Sequence, residues 1–150
     1  SWSQQFNHLP KPWNHLLAGA NFTITQSETT VSDGEEVREI DLPYQSPRIA
    51  NLMLGWENEK LSLRASANYK AAYLQEVAVL DGEDYDLYQD DQTFVDLSAH
   101  YFVNDRLRIN LEAKNLTDQA YYIYTRNDQF NAQYEEYGPT YKFGITWTSP

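Results

Sequence analysis

The chain has 150 residues, a formal net charge of −11 and a mean hydropathy of −0.68, and it contains no cysteine. These values exclude disulfides and cysteine-based metal sites, and no segment approaches the roughly 18 consecutive apolar residues of a membrane-spanning helix. Residues 28–41, 76–91 and 118–137 hold 6, 7 and 4 of the 22 acids but only two bases, Arg38 and Arg126. Because phosphate contacts need a basic surface, these acidic segments argue against a nucleic-acid partner.

Six segments of about ten residues alternate between apolar and polar side chains. In chain order they are residues 16–24, 50–56, 61–70, 95–102, 107–114 and 141–148. A period of two places successive side chains on opposite faces, so each segment is predicted to be a strand. None of the six apolar series contains a charged residue. Residues 1–8 are predicted to be the end of one more strand.

The connections between these segments alternate between short and long. Residues 9–12, 57–60 and 104–106 have the length of tight turns, whereas the other three connections are the acidic segments, of roughly 14 to 20 residues each. The strands are therefore predicted to run up and down in an antiparallel sheet. Its short turns lie at one end and its long polar loops at the other.

Strands of this length with asymmetric connections are typical of an outer-membrane β-barrel, in which 9–11 tilted residues cross the hydrocarbon. Aromatic girdles would then lie at both membrane surfaces, and the candidates for them are Trp13, Trp56, Tyr69, Tyr73, Tyr101 and Trp147. The alternative is a soluble β-sandwich with one wet face, which would bind a sugar or a peptide through its loop tyrosines. The absence of charged residues from the six apolar series favours the barrel.

Three stretches of the sequence resemble parts of the TonB-dependent outer-membrane receptors. LPYQSPRIANLMLGWENEKLSLRASANYKAAYL resembles a hairpin near the C-terminus of that family, LRINLEAKNLTDQAYY its penultimate strand with an Asn-Leu-Thr-Asp exit, and YEEYGPTYKFGITW its last strand. The order and spacing of the three motifs match the family over essentially the whole chain.

This resemblance implies an all-β fold of about six or seven antiparallel strands that form the C-terminal part, residues 1–150, of a large transmembrane barrel. It implies energy-coupled uptake of a scarce solute, such as an iron chelate, a cofactor or another small nutrient, across the outer membrane of a Gram-negative bacterium. The implied partners are outer-membrane lipid and lipopolysaccharide, the receptor's own plug domain and remaining strands, and TonB, which contacts a segment outside this chain. No enzymatic activity and no cofactor are implied.

Two departures from the family pattern concern the extent of the chain. Six strands and part of a seventh are fewer than the usual minimum of eight in a closed outer-membrane barrel, so the chain is expected to be a C-terminal piece of a receptor. Lys142, Gly144 and Trp147 fit the family's terminal assembly signal, but Ser149 stands where the last aromatic residue is expected. Pro150 is therefore in doubt as the natural terminus.

Four basic residues share the polar face of the third and fifth predicted strands: Arg64, Lys70, Arg108 and Lys114. They are candidates for a ligand vestibule that attracts an anion. The alternative is a wet interior or a wall facing the plug, in which Asp96 and Glu112 on neighbouring strands balance these charges.

The second acidic loop contains weak candidates for a calcium site, Asp81, Glu83, Asp84 and Asp86, because calcium prefers several carboxylate oxygens. Their spacing does not match an EF-hand, and a solvated, mobile loop is the expected alternative. A further possibility is that divalent cations bridge these acidic side chains to the phosphates of lipopolysaccharide.

Loop tyrosines and one base are the other vestibule candidates: Tyr85, Tyr88, Tyr121, Tyr122 and Tyr124, together with Tyr134 and Tyr137, and Arg126. Tyrosine offers a flat apolar ring with a hydroxyl, which suits ligand contact as well as an outer aromatic girdle. The three histidines, His8, His15 and His100, lack metal-ligand spacing. The basic polar face favours an anionic solute and the acidic loops favour a cation, so the sequence leaves the substrate open.

Overall fold

The computed structural model describes residues 1–79 and 82–149 of the chain, and these residues form an all-β structure. The strands are β1 (Trp2–Gln5), β2 (Leu16–Ile24), β3 (Glu28–Ser32), β4 (Val37–Asp41), β5 (Arg48–Glu57), β6 (Leu61–Lys70), β7 (Tyr73–Glu76), β8 (Leu87–Gln89), β9 (Gln92–Asn104), β10 (Leu107–Lys114), β11 (Tyr121–Thr125), β12 (Asn131–Glu135) and β13 (Thr140–Trp147). Two short 3-10 helices cover Trp13–His15 and Glu83–Tyr85. None of the helices in the described residues has the length and hydrophobicity of a membrane-spanning helix.

Seven strands form one antiparallel sheet in the order β1-β2-β5-β6-β9-β10-β13, which we call the main sheet. All six predicted strands are present in it, and the predicted seventh strand is β1. Short turns join β5 to β6 and β9 to β10, as the sequence indicated. The all-β, antiparallel fold class predicted from the alternation is therefore confirmed.

The register of the main sheet places the apolar series of the six predicted strands on one face. Leu54 pairs with Ala18 on one side and with Ala65 on the other, and Ala65 pairs in turn with Leu97. Further along the sheet, Leu111 pairs with both Ala99 and Phe143. Because side chains alternate, the intervening residues form a polar face on the opposite side.

The apolar face of the main sheet is exposed rather than packed. Leu52, Leu54 and Phe143 are 59%, 63% and 67% exposed, whereas the buried hydrophobic residues, Ala71, Tyr73, Leu74 and Ile123, lie in or beside the loop strands. A soluble sandwich would cover such a face with a second sheet, because exposed apolar area is unfavourable in water. The burial pattern therefore disfavours the sandwich alternative.

The acidic connections contain more regular structure than the sequence predicted. In the first, β3 and β4 form a hairpin. The second and third contribute two strands each to a four-stranded sheet of order β12-β11-β8-β7, which we call the loop sheet. The solvated, mobile loop expected as the alternative to a calcium site does not describe residues 86–89, because Asp86 is buried and β8 pairs with β11 across two different loops.

Tyr73 is also placed differently from the prediction. It is 9% exposed at the start of β7, and its hydroxyl donates to the side chain of the buried Gln89. This contact holds β7 and β8 together inside the loop sheet. Tyr73 therefore belongs to the loop core rather than to an aromatic girdle at the membrane surface.

Candidate ligand vestibule

A buried ion pair connects the first long loop to the second. Asp86 is 1% exposed and accepts two hydrogen bonds from the Arg38 guanidinium, at 2.5 and 2.8 Å, and a third from the backbone N–H of Ala78 at 2.8 Å. Arg38 lies on β4, 48 residues away along the chain. The hydrogen bond to Asp86 raises the pKa of the Arg38 guanidinium above its usual range. The hairpin is thus tied to the second loop by a charge-assisted bidentate contact.

The second and third loops are joined in two ways. They share the loop sheet, in which Tyr88 pairs with Tyr124, and they are linked by a second ion pair in which Arg126 Nε lies 3.4 Å from an Asp84 carboxylate oxygen. Both side chains of this second pair are more than half exposed, so it contributes little to stability. All three long loops are therefore connected, and we call this assembly the loop platform.

One face of the loop sheet carries a row of four tyrosines: Tyr88, Tyr124, Tyr122 and Tyr134. The rings of Tyr88 and Tyr124 stack with centroids 5.7 Å apart and an angle of 14° between their planes. Tyr122 lies 6.1 Å from Tyr124 and, in an edge-on arrangement, 6.1 Å from Tyr134. These spacings are typical of favourable aromatic pairs. The row is partly exposed and forms the aromatic surface of the platform.

The structure separates the other tyrosine candidates from this row. Tyr121 points to the opposite face of β11, where its hydroxyl lies 3.4 Å from the Gln75 side chain. Tyr137 donates its hydroxyl to Glu135 and is 69% exposed. Tyr85 is 64% exposed in the 3-10 helix of the second loop. The predicted patch is therefore a smaller row that includes Tyr88 and excludes Tyr121.

Burial and neighbouring acids raise the pKa values of groups in and beside the row. Burial is the main cause for Tyr88 and Tyr124, whose phenol pKa values lie above their usual range. Burial also raises the pKa of the Asp90 carboxyl, with Asp91 and Asp128 adding repulsion. The hydroxyls of Tyr88 and Tyr124 are therefore neutral hydrogen-bonding groups at physiological pH.

The four basic candidates do not form one cluster. Arg64 and Lys114 line a groove of about 300 Å³ on the polar face, together with Asp96 and Glu112. Lys70 instead places its Nζ 3.9 Å from the centre of the Tyr73 ring. Arg108 Cζ lies 6.0 Å from the Phe102 ring centre, on the strand pair nearer the short turns.

The expected charge balance across strands is only partly present. Arg64 lies 3.9 Å from Glu57, and Asp96 accepts the backbone N–H of Asn115 at 2.9 Å. Within residues 1–79 and 82–149, neither Asp96 nor Glu112 forms an ion pair within 4.0 Å. The groove is therefore lined by both positively and negatively charged side chains.

The calcium candidates are also separated. Asp86 is bound by Arg38 and Asp84 lies beside Arg126, so these carboxylates face arginines rather than a shared centre. Asp81 lies outside the described residues. Across the part of the chain that the structure describes, no group of three His, Cys, Asp or Glu side chains is arranged to hold a metal ion.

A comparison with protein-family models identifies the fold. The model described as TonB dependent receptor-like, beta-barrel matches residues 1–116, more than half of the chain. The chain belongs to the TonB-dependent receptor family. No curated protein and no solved structure matches it. Members of this family are outer-membrane transporters of Gram-negative bacteria and not enzymes.

With the family established, the aromatic residues can be placed relative to the two ends of the receptor strands. Trp13, Trp56, Tyr101 and Trp147 lie at the end with the short turns, where Trp147 pairs with Leu107 at the start of β10. Tyr69 lies at the opposite end, one residue before β6 leads into the loops. The assignment of these five residues to aromatic girdles at the two membrane surfaces stays a prediction.

The receptor motifs have visible roles in this arrangement. The Asn115 side chain accepts the backbone N–H of Gln119 at 2.8 Å, and its amide lies 3.3 Å from the carbonyls of Gln119 and Gly138. Ser46, from the Ser-Pro motif, is 5% exposed and places its hydroxyl 2.8 Å from the Ala71 carbonyl. Both residues fix the points where membrane strands become loops.

Sequence reasoning missed Arg38 and Asn115 as organising residues. A signal for Arg38 was present, because it is the only base in residues 28–41, and a lone cation among six acids has many possible partners nearby. Asn115 adopts a φ of 56°, which asparagine tolerates better than most residues. Its position in the Asn-Leu-Thr-Asp motif was noted, but the contacts it makes depend on the fold.

Proposed function

We propose that residues 1–150 are the C-terminal portion of a TonB-dependent receptor that takes up a scarce solute across the outer membrane of a Gram-negative bacterium. The observation that carries this proposal is the main sheet, with an exposed apolar face and a polar opposite face. In a barrel, the apolar face contacts lipid and the polar face lines the interior. Family membership supports the same role.

The receptor's remaining strands and its plug domain are the partners that this arrangement requires. β1 and β13 are the edge strands of the main sheet in the described residues, and a bilayer demands that every backbone hydrogen-bonding group be paired. We assign those edges to the remaining strands of the same barrel. The plug would then contact the polar face, and TonB would act on the plug.

The loop platform is proposed as the first contact of the solute. Its tyrosine row offers aromatic rings and hydroxyls on a pre-formed sheet, and pre-formed contacts reduce the entropy lost on binding. Tyr85 and Arg126, elsewhere on the loop platform, are further candidate contacts of the solute, whereas Tyr121 lies on the opposite face of β11. The solute would be an iron chelate, a cofactor or another small nutrient.

The charges of the platform and of the polar groove contribute differently to selectivity. Both platform arginines, Arg38 and Arg126, lie against carboxylates, so the surplus charge of the loops is negative. The polar groove holds Arg64 and Lys114 beside two acids. We therefore assign discrimination by charge to the loops, and passage of the released solute to the mixed-charge interior.

Site-directed cysteine labelling tests the membrane orientation, because the chain has no cysteine of its own. Single cysteines would replace Glu83 in a loop, Asp105 in a short turn and Leu54 on the apolar face of the full-length receptor, expressed in a Gram-negative host with any other cysteines removed. A bulky, water-soluble maleimide should label Glu83→Cys on intact cells. It should label Asp105→Cys only after the outer membrane is permeabilised.

The apolar-face variant separates the two fold alternatives. Leu54→Cys should react with a lipid-soluble maleimide and resist the water-soluble reagent, since lipid covers that face. Ready reaction of Leu54→Cys with the water-soluble reagent, in a protein that stays in solution without detergent, would contradict the receptor proposal.

A further inference from the structure

Among the described residues, the apolar face of the main sheet carries a single charged residue, Arg48. The strand β5 begins at this residue, two positions before the segment predicted from the alternation. Side chains alternate along a strand, so Arg48 shares a face with Ala50, Leu52, Leu54 and Trp56. The corresponding positions of the other strands in the main sheet are apolar or uncharged.

The position of Arg48 along the strand is distinctive. It pairs with Ile24, the last residue of β2, and lies diagonally across from Tyr69 on β6. Trp56, in the girdle at the short-turn end, is eight residues away, or about 26 Å along the strand. Arg48 therefore marks the boundary where the apolar face ends and the long loops begin.

The backbone of Arg48 is fixed while its guanidinium is exposed. Its carbonyl accepts the Ala71 N–H at 3.0 Å and lies 3.0 Å from the Ser46 hydroxyl. The residue is exposed, and none of the ion pairs within residues 1–79 and 82–149 includes it. A fixed backbone with an available side chain suits a ligand that approaches from outside the sheet.

Membrane physics restricts what that ligand can be. An arginine on the lipid face is strongly unfavourable at the bilayer centre and nearly neutral at the interface, so Arg48 belongs at headgroup depth. Its planar guanidinium matches phosphate oxygens in a bidentate geometry. Phe22 and Ile24 lie on the same face and are 57% and 72% exposed. Ile24 pairs with Arg48, and Phe22, which pairs with Ala50, lies two residues further towards the membrane interior, so both offer surface for acyl chains.

We propose that Arg48 binds a phosphate of lipid A in the outer leaflet, with acyl chains of the same lipid against Phe22 and Ile24. This inference rests on the proposed function, because it requires the long loops to lie on the outer side of the membrane. Lipid A is the occupant we commit to, since it supplies sugar phosphates and several acyl chains at the depth where Arg48 and its apolar neighbours lie together.

Native mass spectrometry of the delipidated full-length receptor in detergent tests the site. Bisphosphorylated lipid A would be titrated into the wild type, Arg48→Gln and Arg48→Lys, with Arg106→Gln as the matched control. Arg106 is an exposed arginine in the short turn at the opposite end. Arg48→Gln should bind lipid A about tenfold more weakly, as expected for the loss of one charge-assisted contact, and Arg48→Lys should recover part of the affinity.

Two further lipids identify the group that Arg48 recognises. Lipid A without phosphates should bind the wild type and Arg48→Gln with the same weak affinity, because it offers Arg48 no phosphate to contact. Phosphatidylglycerol should bind weakly and without dependence on Arg48. Equal binding of bisphosphorylated lipid A to the wild type and Arg48→Gln would overturn the proposal, as would phosphatidylglycerol binding with the affinity and the Arg48 dependence of lipid A.

The failure of this inference can be told apart from failure of the proposed function. If the cysteine variants show the expected orientation but Arg48→Gln retains lipid A affinity, the receptor assignment stands and the Arg48 site is wrong. If Leu54→Cys is open to water in a soluble protein, both proposals fail together.

Discussion

At the scale of single residues, the contact with the largest consequence is the one between Arg38 and Asp86. A fully buried carboxylate is stable only when its lost hydration is replaced, and Asp86 accepts three hydrogen bonds in compensation. The Arg38 side chain is 26% exposed, so the pair sits at the edge of the platform rather than deep within it. This pair ties the β3–β4 hairpin to the second loop.

Removing Arg38 should release the hairpin from the second loop. We expect Arg38→Met to destabilise the local contact by about 3 kcal/mol, because Asp86 would remain buried without its main partner. Amide hydrogen exchange of residues 28–41 in the full-length receptor should rise correspondingly. Arg38→Met combined with Asp86→Leu should regain part of the protection, because the uncompensated charge is gone.

The exposed pair between Arg126 and Asp84 is the matched control for this prediction. Arg126→Met should change loop protection by less than about 1 kcal/mol, as is usual for exposed ion pairs. Equal effects of Arg38→Met and Arg126→Met would show that burial of Asp86 does not govern the hairpin.

At the scale of elements, the loops are organised where the membrane strands end. β10 ends at Lys114, and the next residue, Asn115, turns the chain with a positive φ while its side chain binds two loop segments. At the start of β5, Ser46 connects that strand to the exit of β6. These capping contacts allow long acidic loops to leave the sheet without unpaired backbone groups.

Two substitutions at Asn115 separate its conformational role from its hydrogen bonds. Asn115→Gly keeps access to a φ of 56° but loses the side-chain contacts, at an expected cost of about 1–3 kcal/mol. Asn115→Ala loses the same contacts and adds conformational strain of about 1 kcal/mol. The free energy of unfolding, measured by urea titration in lipid vesicles, should therefore fall in the order wild type, glycine, alanine. An identical loss for both variants would rule out a contribution from the positive φ.

At the scale of the whole molecule, the chain forms two sheets that suit different surroundings. The main sheet has an apolar face that is exposed in the isolated chain, whereas the loop sheet has its own small core around Leu74 and Ile123. The acidic residues concentrate in the three long loops, where most of them are exposed to water. This division explains how a chain with a net charge of −11 can also present a face without acids.

A charge at the middle of the apolar face should therefore prevent membrane insertion. Leu54→Lys should destabilise the inserted receptor by about 2–4 kcal/mol, the usual cost of lysine on a lipid face near the bilayer centre. Ser66→Lys, in the adjacent strand β6 on the polar face, is the control and should have a small effect. The free energy of unfolding of both variants would be measured by urea titration of the receptor in lipid vesicles. Similar losses at the two positions would argue against opposite environments for the two faces.

Much of the fold was predictable because the deciding signals are local. The alternation of Leu107, Ile109 and Leu111 with polar residues specifies a strand and its two faces regardless of what the strand pairs with. The short turns after Glu57 and Asn104 were also predictable from the lengths of the polar connections. The loop strands were not, because β8 has only three residues and forms its ladders with segments from elsewhere in the chain.

The sequence by itself determined the strands, their amphipathic faces and the uneven placement of charge, since each follows from residue type and spacing. Only the tertiary structure decided that Asp86 faces Arg38, that Tyr88 joins Tyr122 and Tyr124 while Tyr121 does not, and that Arg48 stands alone on the apolar face. The physical reason is that these relations depend on register and on contacts between loops far apart in the chain. No local pattern encodes which of many nearby acids a single arginine will meet.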